Sequence, residues 1–169
     1  SFLCILPLFH SFASTVCMLL PFYNGASIVL MRTVRPFKRV IRAVFRNRIT
    51  VFVAVPSIYK ILAEIKLSWY KLIWFSLINP VRICISGAAA LSGDILERFE
   101  KKIRRPLLEG YGLTEASPVV SLNPLKGKRK RFSVGLALSS LEAKVVDGTG
   151  RELLHGDVGE LIIKGPRIM

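Results

Sequence analysis

The sequence predicts an α/β protein, in which a mostly parallel sheet covered by helices is followed by a short antiparallel β region. Two observations carry this prediction. Short apolar runs alternate with amphipathic segments through most of the chain, and that alternation is typical of parallel strands joined by helices. After about Phe132 the helical segments stop, and strands follow one another across tight turns. A length of 169 residues allows a compact core.

The strands of the first region are predicted from apolar runs rich in β-branched residues. Each run is too short for a helix and is bounded by turn-forming or polar residues, which favours a buried strand. A further brief strand is expected before a loop at 109–115, where two glycines interrupt the apolar pattern. The other predicted strands are 4–7, 27–31, 51–55 and 81–85.

Helices are predicted between these strands from spacing, capping and charge. Ser92 is a candidate N-cap for a helix over 92–103, with acidic residues near its start and lysines near its end, as the helix dipole favours. At 36–49 apolar residues recur at helical spacing with bases between them, which predicts a helix with a charged face. Further helices are predicted at 11–20, at 57–66 and, in part, at 67–79.

The β region is expected to follow a basic, loop-like segment at 126–131. Strands are predicted at 142–147 and 158–164, with a Gly-Thr-Gly turn after the first of them. We therefore predict two units, an α/β unit at 1–131 and a β unit at 132–169.

The chain carries a formal charge of +14, and no aspartate or glutamate precedes Glu64. Bases crowd the segment 32–48. Such charge favours acidic partners, and three explanations are open: a solvated helix face, contact with an anionic membrane, or nucleic acid. Because no nucleic-acid-binding motif accompanies the charge, we expect no nucleic-acid partner.

Hydrophobic residues make up 51% of the chain, and its mean hydropathy is +0.46. We expect part of this apolar surface to be exposed and the chain to self-associate. The uncharged stretch 12–31 is long enough for a bilayer, but Pro21 and the Asn24-Gly25 pair interrupt it, which favours a helix, a turn and a strand. Three widely spaced cysteines indicate buried thiols, hence a cytoplasmic location, with the basic face as a candidate for peripheral membrane contact.

The most informative stretch is LEGYGLTEASP at 108–118. Gly110 and Gly112 would let the backbone approach a flat ring, and the tyrosine between them offers a planar face. Thr114 and Glu115 supply hard oxygen atoms of the kind that Mg²⁺ prefers. This combination indicates a site for a nucleotide and its metal-bound phosphates.

The stretch resembles the signature of the adenylate-forming enzymes, the superfamily of acyl-CoA synthetases, firefly luciferase and peptide-synthetase adenylation domains. Three other segments agree with that family in sequence order: LPLFHSF at 6–12, ISGAAALS at 85–92 and VGELIIKGP at 158–166. The resemblance covers essentially the whole chain. It implies the later half of a mostly parallel α/β domain of the acyl-CoA synthetase-like fold, followed by the start of an antiparallel β-barrel subdomain.

The resemblance implies an ATP-dependent acyl-CoA ligase. In this family a carboxylate attacks the α-phosphate of ATP and releases pyrophosphate, and a thiol, usually that of coenzyme A, then takes the acyl group. The implied substrates and cofactor are therefore ATP, coenzyme A, a carboxylic acid and Mg²⁺. Phe9, Phe12 and the apolar, basic character favour a fatty acid, and an aryl acid or another carboxylate remains open.

The resemblance also implies roles for individual residues. Thr114 contacts phosphate, Glu115 holds Mg²⁺, and His10 lies beside the acyl substrate and the α-phosphate, so that these three are the catalytic residues. Ala88 stands where relatives commonly have glycine, which would narrow the site modestly. The nucleotide is expected to contact Gly87, Ala88, Ala89, Gly110, Tyr111, Gly112, Leu113 and Thr114, and the acyl group Phe9, His10, Phe12, Ala88 and Gly112.

Taken alone, the residues leave plainer explanations open. A lone histidine on apolar ground is usually a hydrogen-bonded core residue, and SGAAAL by itself suits a tight strand-to-helix turn. The family's glycine-rich phosphate loop, ribose-binding aspartate and catalytic lysine are not found in the 169 residues, so we expect a central fragment that is inactive alone. The alternative function is a truncated, non-catalytic homologue that binds a membrane or a protein.

Overall fold

The computed structural model describes residues 1–65 and 77–169. Most strands lie in one seven-stranded sheet, and the last two form a separate pair. The strands are β1 (Phe2–Cys4), β2 (Ile28–Leu30), β3 (Val51–Ala54), β4 (Ile83–Ser86), β5 (Leu107–Gly112), β6 (Val119–Leu122), β7 (Leu136–Ala137), β8 (Glu142–Val146) and β9 (Glu160–Lys164).

The large sheet has the order β2-β1-β3-β4-β5-β6-β7. The strands from β2 to β5 are parallel, whereas β6 and β7 join antiparallel at one side. The predicted fold class, a mostly parallel α/β sheet followed by antiparallel β structure, is therefore confirmed. Because β1, β3, β4 and β5 run in one direction, their carboxyl ends meet at a single edge, where ligands of open α/β sheets commonly bind.

Helices cover both faces of the sheet. A helix starts with α1 (Ser11–Ser14), continues through a π turn at Thr15–Leu19 and ends with α2 (Leu20–Tyr23). The other helices are α3 (Phe37–Arg46), α4 (Pro56–Glu64) and α5 (Gly93–Ile103). The helices expected near 11–20, 36–49, 57–66 and 92–103 are confirmed, whereas most of the segment expected at 67–79 lies outside the described residues.

The core is divided into two layers because neighbouring strand residues point to opposite faces. On one face Leu3 and Phe52 pack with buried residues of α3, α4 and α5. On the other face Val53 packs with Val16 and Cys17 from the π turn. Tyr59 is fully buried in the first layer, where its hydroxyl lies 2.9 Å from the carbonyl oxygens of Phe52 and Ile85. The adjacent β3 residues Phe52 and Val53 therefore pack against helices on opposite faces of the same sheet.

Two strand boundaries differ from the prediction. The strand expected at 4–7 is β1, which ends at Cys4; Pro7 has no amide hydrogen for a ladder, and Phe2 and Leu3 pair with neighbours on both sides. The loop expected at 109–115 is wrong in its first part, because β5 continues to Gly112. Pairing with β6 overrides the low strand propensity of glycine.

The second sheet consists of β8 and β9, which pair antiparallel with Glu142 opposite Lys164 and Val146 opposite Glu160. This pair is the predicted antiparallel region, although β7 at 136–137 still belongs to the large sheet. The division into units 1–131 and 132–169 stays a prediction. The basic segment at 126–131 lies against α5, where Arg131 forms an ion pair with Glu97 at 3.0 Å and Arg129 forms one with Glu100 at 3.4 Å.

The cysteines Cys4, Cys17 and Cys84 are all free and buried, as expected. Burial raises the pKa of the Cys84 thiol to about 12, so this thiol stays protonated at neutral pH. Within residues 1–65 and 77–169, no helix is long and apolar enough to cross a bilayer.

Candidate functional site

A cavity of about 620 Å³ lies at the carboxyl ends of β4 and β5 and reaches the start of α1. Its volume is in the range of small-molecule sites. The predicted residues that line it are His10, Phe12, Gly87, Ala88, Gly110, Tyr111, Gly112, Leu113, Thr114 and Glu115. The other lining residues are Ser11, Thr15, Val16, Leu20, Ile85, Ser117, Pro118, Val119, Leu122, Leu138 and Arg167.

Numbered along the chain, the first motif is 6–12, the second is 85–92 and the third is 108–118. Phe12 and Gly87 bring the first and second motifs together. A Cβ atom built on Gly87 would lie 2.8 Å from Cζ of the Phe12 ring, a distance that real side chains do not tolerate. The ring therefore packs directly on the backbone that follows β4. The next residue, Ala88, has a φ of 67°, a left-handed conformation that costs a residue with a Cβ more than it costs glycine. Ala88 thus retains the backbone shape of a glycine turn.

The hairpin between β5 and β6 requires glycine at 112. A Cβ atom there would lie 1.9 Å from the carbonyl oxygen of Pro118, and the strand register shifts between Tyr111 and Gly112. The sequence predicted that glycine admits a flat ring at this point. The structure gives a more direct reason, which is the close approach of the returning strand.

Glu109 connects the two glycine-containing bends, and sequence reasoning did not identify this role. Its side chain is buried, and Oε1 accepts a hydrogen bond from the backbone nitrogen of Leu91 at 2.8 Å. Its carbonyl oxygen accepts hydrogen bonds from Asn123 through the backbone nitrogen at 3.0 Å and Nδ2 at 3.1 Å. The loop after β4 is therefore anchored to β5 beside the cavity. A carboxylate directly after a short apolar run was the only local signal.

His10 caps the helix that begins at Ser11. Its Nδ1 accepts a hydrogen bond from the backbone nitrogen of Phe12 at 3.3 Å. In the neutral ring an accepting Nδ1 leaves the proton on Nε2. His10 is exposed and lines the cavity, so it is not the buried core histidine of the plainer explanation.

Thr114 and Glu115 begin a 3-10 turn at Thr114–Ala116 on the cavity rim. Both side chains belong to exposed residues. The Thr114 hydroxyl oxygen lies 3.0 Å from that of Ser11, which is 103 residues away in the sequence. Hydroxyl and carboxylate oxygens that face solvent can coordinate a hard cation such as Mg²⁺.

The end of the described chain braces this turn. The Ser117 hydroxyl donates to the carbonyl oxygen of Arg167 at 2.8 Å, and the backbone nitrogen of Met169 donates to the carbonyl oxygen of Glu115 at 2.9 Å. The Arg167 guanidinium donates to Ser140 Oγ at 2.6 Å, and its Nε is buried without a hydrogen-bond partner. Arg167 also lines the cavity, and no motif in the sequence pointed to it.

Two predicted site residues do not line the cavity. Phe9 is 91% exposed, because it precedes the capping residue and lies outside the helix that covers the sheet. Ala89 is exposed at the crest of the bend after β4. Neither side chain therefore lies where it would contact a ligand in this cavity, and the roles of both residues stay predictions. The second histidine, His155, does not line the cavity and lies in an exposed turn.

The residues present fit a nucleotide with a bound cation. The cavity has the volume of a small-molecule site, and Arg167, one of its lining residues, has a buried Nε without a hydrogen-bond partner. Such orphaned donors are uncommon and favour an absent polar ligand. Within residues 1–65 and 77–169, no group of three or more histidine, cysteine, aspartate and glutamate side chains could hold a metal ion.

A cavity at the carboxyl edge of a mostly parallel α/β sheet occupies the place where open α/β proteins commonly bind small ligands. Comparison with known families names the class more closely. The chain belongs to the AMP-binding enzyme family, whose model matches residues 1–169. The adenylate-forming resemblance of the four motifs is thereby confirmed.

Individual relatives agree with this membership. The chain is 33% identical over 167 residues to a long-chain-fatty-acid–CoA ligase of Bacillus subtilis (strain 168), covering 98% of the chain and 29% of that protein. It is 34% identical over 173 residues to 4-coumarate–CoA ligase 2 of Oryza sativa subsp. japonica, covering 99% of the chain and 29% of that protein.

A solved structure is similar over the same length. The crystal structure of ATP-bound MatB from Rhodopseudomonas palustris matches with a TM-score of 0.87 at 29% identity, covering 99% of this chain and 32% of that one. The chain thus spans under a third of the length of the relatives it matches.

Proposed function

We propose that this chain forms the nucleotide- and acyl-binding part of an ATP-dependent, AMP-forming acyl-CoA ligase. One observation carries the proposal. The bend after β4 and the end of β5 converge on a single cavity, with Thr114 and Glu115 at its rim. A second support is the identity of about a third to ligases that join carboxylic acids to coenzyme A.

In this proposal the nucleotide lies along the backbone of the two bends. Gly87, Gly110 and Gly112 line the cavity and would present their backbone to a flat base, and Tyr111 would offer its ring. Thr114 and the His10 ring, with its proton on Nε2, would donate to phosphate oxygens. Glu115 would hold Mg²⁺, which supplies positive charge against the phosphates. Binding, orientation and charge neutralisation account for most of the rate in displacements at phosphorus.

The acyl group is proposed to lie on the apolar side of the cavity. Phe12, Val16 and Leu20 come from the helix after β1, and Leu122 and Leu138 come from the other wall. These side chains would exclude water from an aliphatic chain, which favours a fatty acid. An aryl acid is the competing substrate class, since its ring would also pack against Phe12.

Pyrophosphate release by the complete protein tests the proposal. We expect release that depends on ATP, Mg²⁺ and a carboxylic acid, with fatty acids faster than benzoate or 4-coumarate. Release with aryl acids alone would retain the ligase and reject the fatty-acid assignment. The isolated 169-residue chain is expected to be inactive, because it spans under a third of its relatives. Absence of release from the complete protein with every acid would reject the proposal.

The basic face of α3 favours a second candidate function, docking on an anionic membrane. Lys38, Arg42 and Arg46 recur at four-residue spacing and are exposed, whereas Val40 and Val44 are buried on the opposite side. Within the described part of the chain, none of these three bases forms an ion pair. Each base near an anionic surface contributes about 1 kcal/mol of attraction.

We therefore expect the triple variant Lys38→Glu/Arg42→Glu/Arg46→Glu to bind vesicles of phosphatidylserine and phosphatidylcholine at least about tenfold more weakly. Co-sedimentation at low and high salt measures this binding, which salt should weaken. The matched control Lys126→Glu/Lys128→Glu/Lys130→Glu changes the net charge equally. An equal loss in both variants would indicate general charge attraction and contradict docking through α3. Failure of the wild-type protein to bind these vesicles would also contradict it.

Self-association of the isolated chain stays a prediction. Phe22, Tyr23 and Leu30 are from 65% to 91% exposed. Leu30 lies on β2, the edge strand of the large sheet, and Phe22 and Tyr23 lie at the end of α2, which precedes β2 in the chain. Exposed apolar side chains beside an unpaired strand edge favour association. Sedimentation velocity is expected to show dimers or larger species at micromolar concentration, and a monomer throughout would contradict this expectation.

A further inference from the structure

The hydroxyl groups of Ser11 and Thr114 form a contact that none of the roles above explains. Their oxygen atoms lie 3.0 Å apart, and both residues line the 620 Å³ cavity. Ser11 belongs to the first motif and Thr114 to the third, so the contact joins two segments separated by 103 residues. Among the described residues, neither hydroxyl has another hydrogen-bond partner.

Each of the two hydroxyls is held in place by its own backbone. Ser11 begins α1, where His10 caps the helix, and its carbonyl oxygen accepts a hydrogen bond from Ser14 Oγ at 3.0 Å. Thr114 begins the 3-10 turn that Met169 braces through the Glu115 carbonyl oxygen. Two anchored backbones keep the oxygen atoms at hydrogen-bond distance before any ligand arrives, which is the preorganisation that an efficient site needs.

The direction of this hydrogen bond follows from the chemistry of hydroxyl groups. A hydroxyl has one proton to donate and two lone pairs that accept. The phosphate oxygens of ATP are acceptors at neutral pH, so a threonine that contacts them must use its single proton for that contact. Its oxygen can then interact with Ser11 only as an acceptor, and Ser11 must donate.

We propose that Ser11 is a positioning residue for Thr114: the Ser11 hydroxyl donates to Thr114 Oγ1 and thereby directs the Thr114 proton toward a phosphate oxygen of the nucleotide. This inference rests on the proposed function, because it needs a nucleotide in the cavity. It adds a determinant of nucleotide affinity outside the third motif. Without Ser11, the Thr114 hydroxyl would rotate freely and lose part of its alignment.

The test is a double-mutant cycle in the complete protein, with pyrophosphate release as the assay. Ser11→Ala is expected to raise the KM for ATP about three- to tenfold, the range of one neutral hydrogen bond, and to leave the KM for the carboxylic acid unchanged. Thr114→Ala should raise the KM for ATP more. Because Ser11 acts only through Thr114, the double variant should equal Thr114→Ala.

Two further variants separate positioning from general damage. Ser11→Thr keeps a hydroxyl on the Cβ atom, so its KM for ATP should stay within about twofold of the wild-type value. Ser27→Ala removes an exposed serine hydroxyl outside the cavity and should change nothing. Thermal unfolding of each variant reports whether the fold is intact, and a purely structural role for Ser11 would raise both KM values together.

Each alternative outcome rejects a different statement. A wild-type KM for ATP in Ser11→Ala, or losses that add in the double variant, would overturn the positioning role, since addition indicates direct contact of Ser11 with the ligand. A wild-type KM in Thr114→Ala would reject the phosphate contact and this inference while leaving the ligase proposal intact. Failure of the unaltered protein to release pyrophosphate from ATP would overturn both.

Discussion

Glu115→Ala in the complete protein is expected to lower the rate of adenylate formation by about 100-fold or more, the scale of one electrostatic stabiliser. Glu115 is exposed on the cavity rim, and its backbone is held by the hydrogen bond from Met169. The side chain is therefore free to meet a cation while its position is fixed. Its removal would take away negative charge that holds Mg²⁺ against the phosphates, with little effect on packing. Single-turnover formation of the acyl-adenylate measures this step directly.

The matched control for that variant is Asp157→Ala, which removes an exposed carboxylate outside the cavity. The control should keep the wild-type rate. Glu115→Ala should keep the wild-type unfolding temperature and should recover part of its rate at raised Mg²⁺ concentration, because weaker binding is offset by mass action. A rate within threefold of wild type would show that another group holds the cation.

Gly112→Ala is expected to destabilise the isolated chain by about 2–3 kcal/mol, at the upper end of overpacking effects. The new Cβ would lie 1.9 Å from the Pro118 carbonyl oxygen, so the backbone of the hairpin must move. That movement would displace Thr114 and Glu115, which follow directly on the rim. In the complete protein we therefore also expect weaker ATP binding. Urea unfolding of the chain measures the first effect, and calorimetric titration with Mg²⁺ and ATP measures the second.

Gly148→Ala controls for the general effect of a methyl group at a glycine. A Cβ atom on Gly148 would meet no heavy atom within 4 Å, so this variant should unfold within about 0.5 kcal/mol of wild type, as surface substitutions usually do. If Gly112→Ala unfolds at the same urea concentration as Gly148→Ala, the hairpin accommodates the methyl group and the close approach is not a constraint.

Local order was predictable from the sequence because it depends on local chemistry. The spacing of Val40 and Val44 predicted α3, and the apolar runs before Ala54 and Ser86 predicted β3 and β4. The motif at 108–118 predicted one part of the cavity wall, from Gly110 to Glu115. The extent of β5 was not predictable, since only the pairing of Gly110 with Leu122 makes that glycine part of a strand.

Contacts between distant segments could not be predicted in the same way. Nothing near Leu91 in the sequence indicates that its backbone nitrogen donates a hydrogen bond to Glu109. Nothing near Thr114 indicates that its hydroxyl lies beside that of Ser11. The exposure of Phe9 was also missed, because an aromatic residue within a motif is equally compatible with a pocket wall and with a solvent-facing turn. Only the position of the capping residue His10 decides between the two.

The amino-acid sequence by itself determined the order of strands and helices, the family and the residue types of the nucleotide site, because spacing, capping and motif chemistry act within a few residues. The tertiary structure alone decided which groups meet around the cavity: the Gly87 backbone with the Phe12 ring, the Thr114 hydroxyl with that of Ser11, and the Glu115 carbonyl oxygen with the backbone nitrogen of Met169. Those meetings depend on the order of strands in the sheet, which brings segments up to 103 residues apart to one edge.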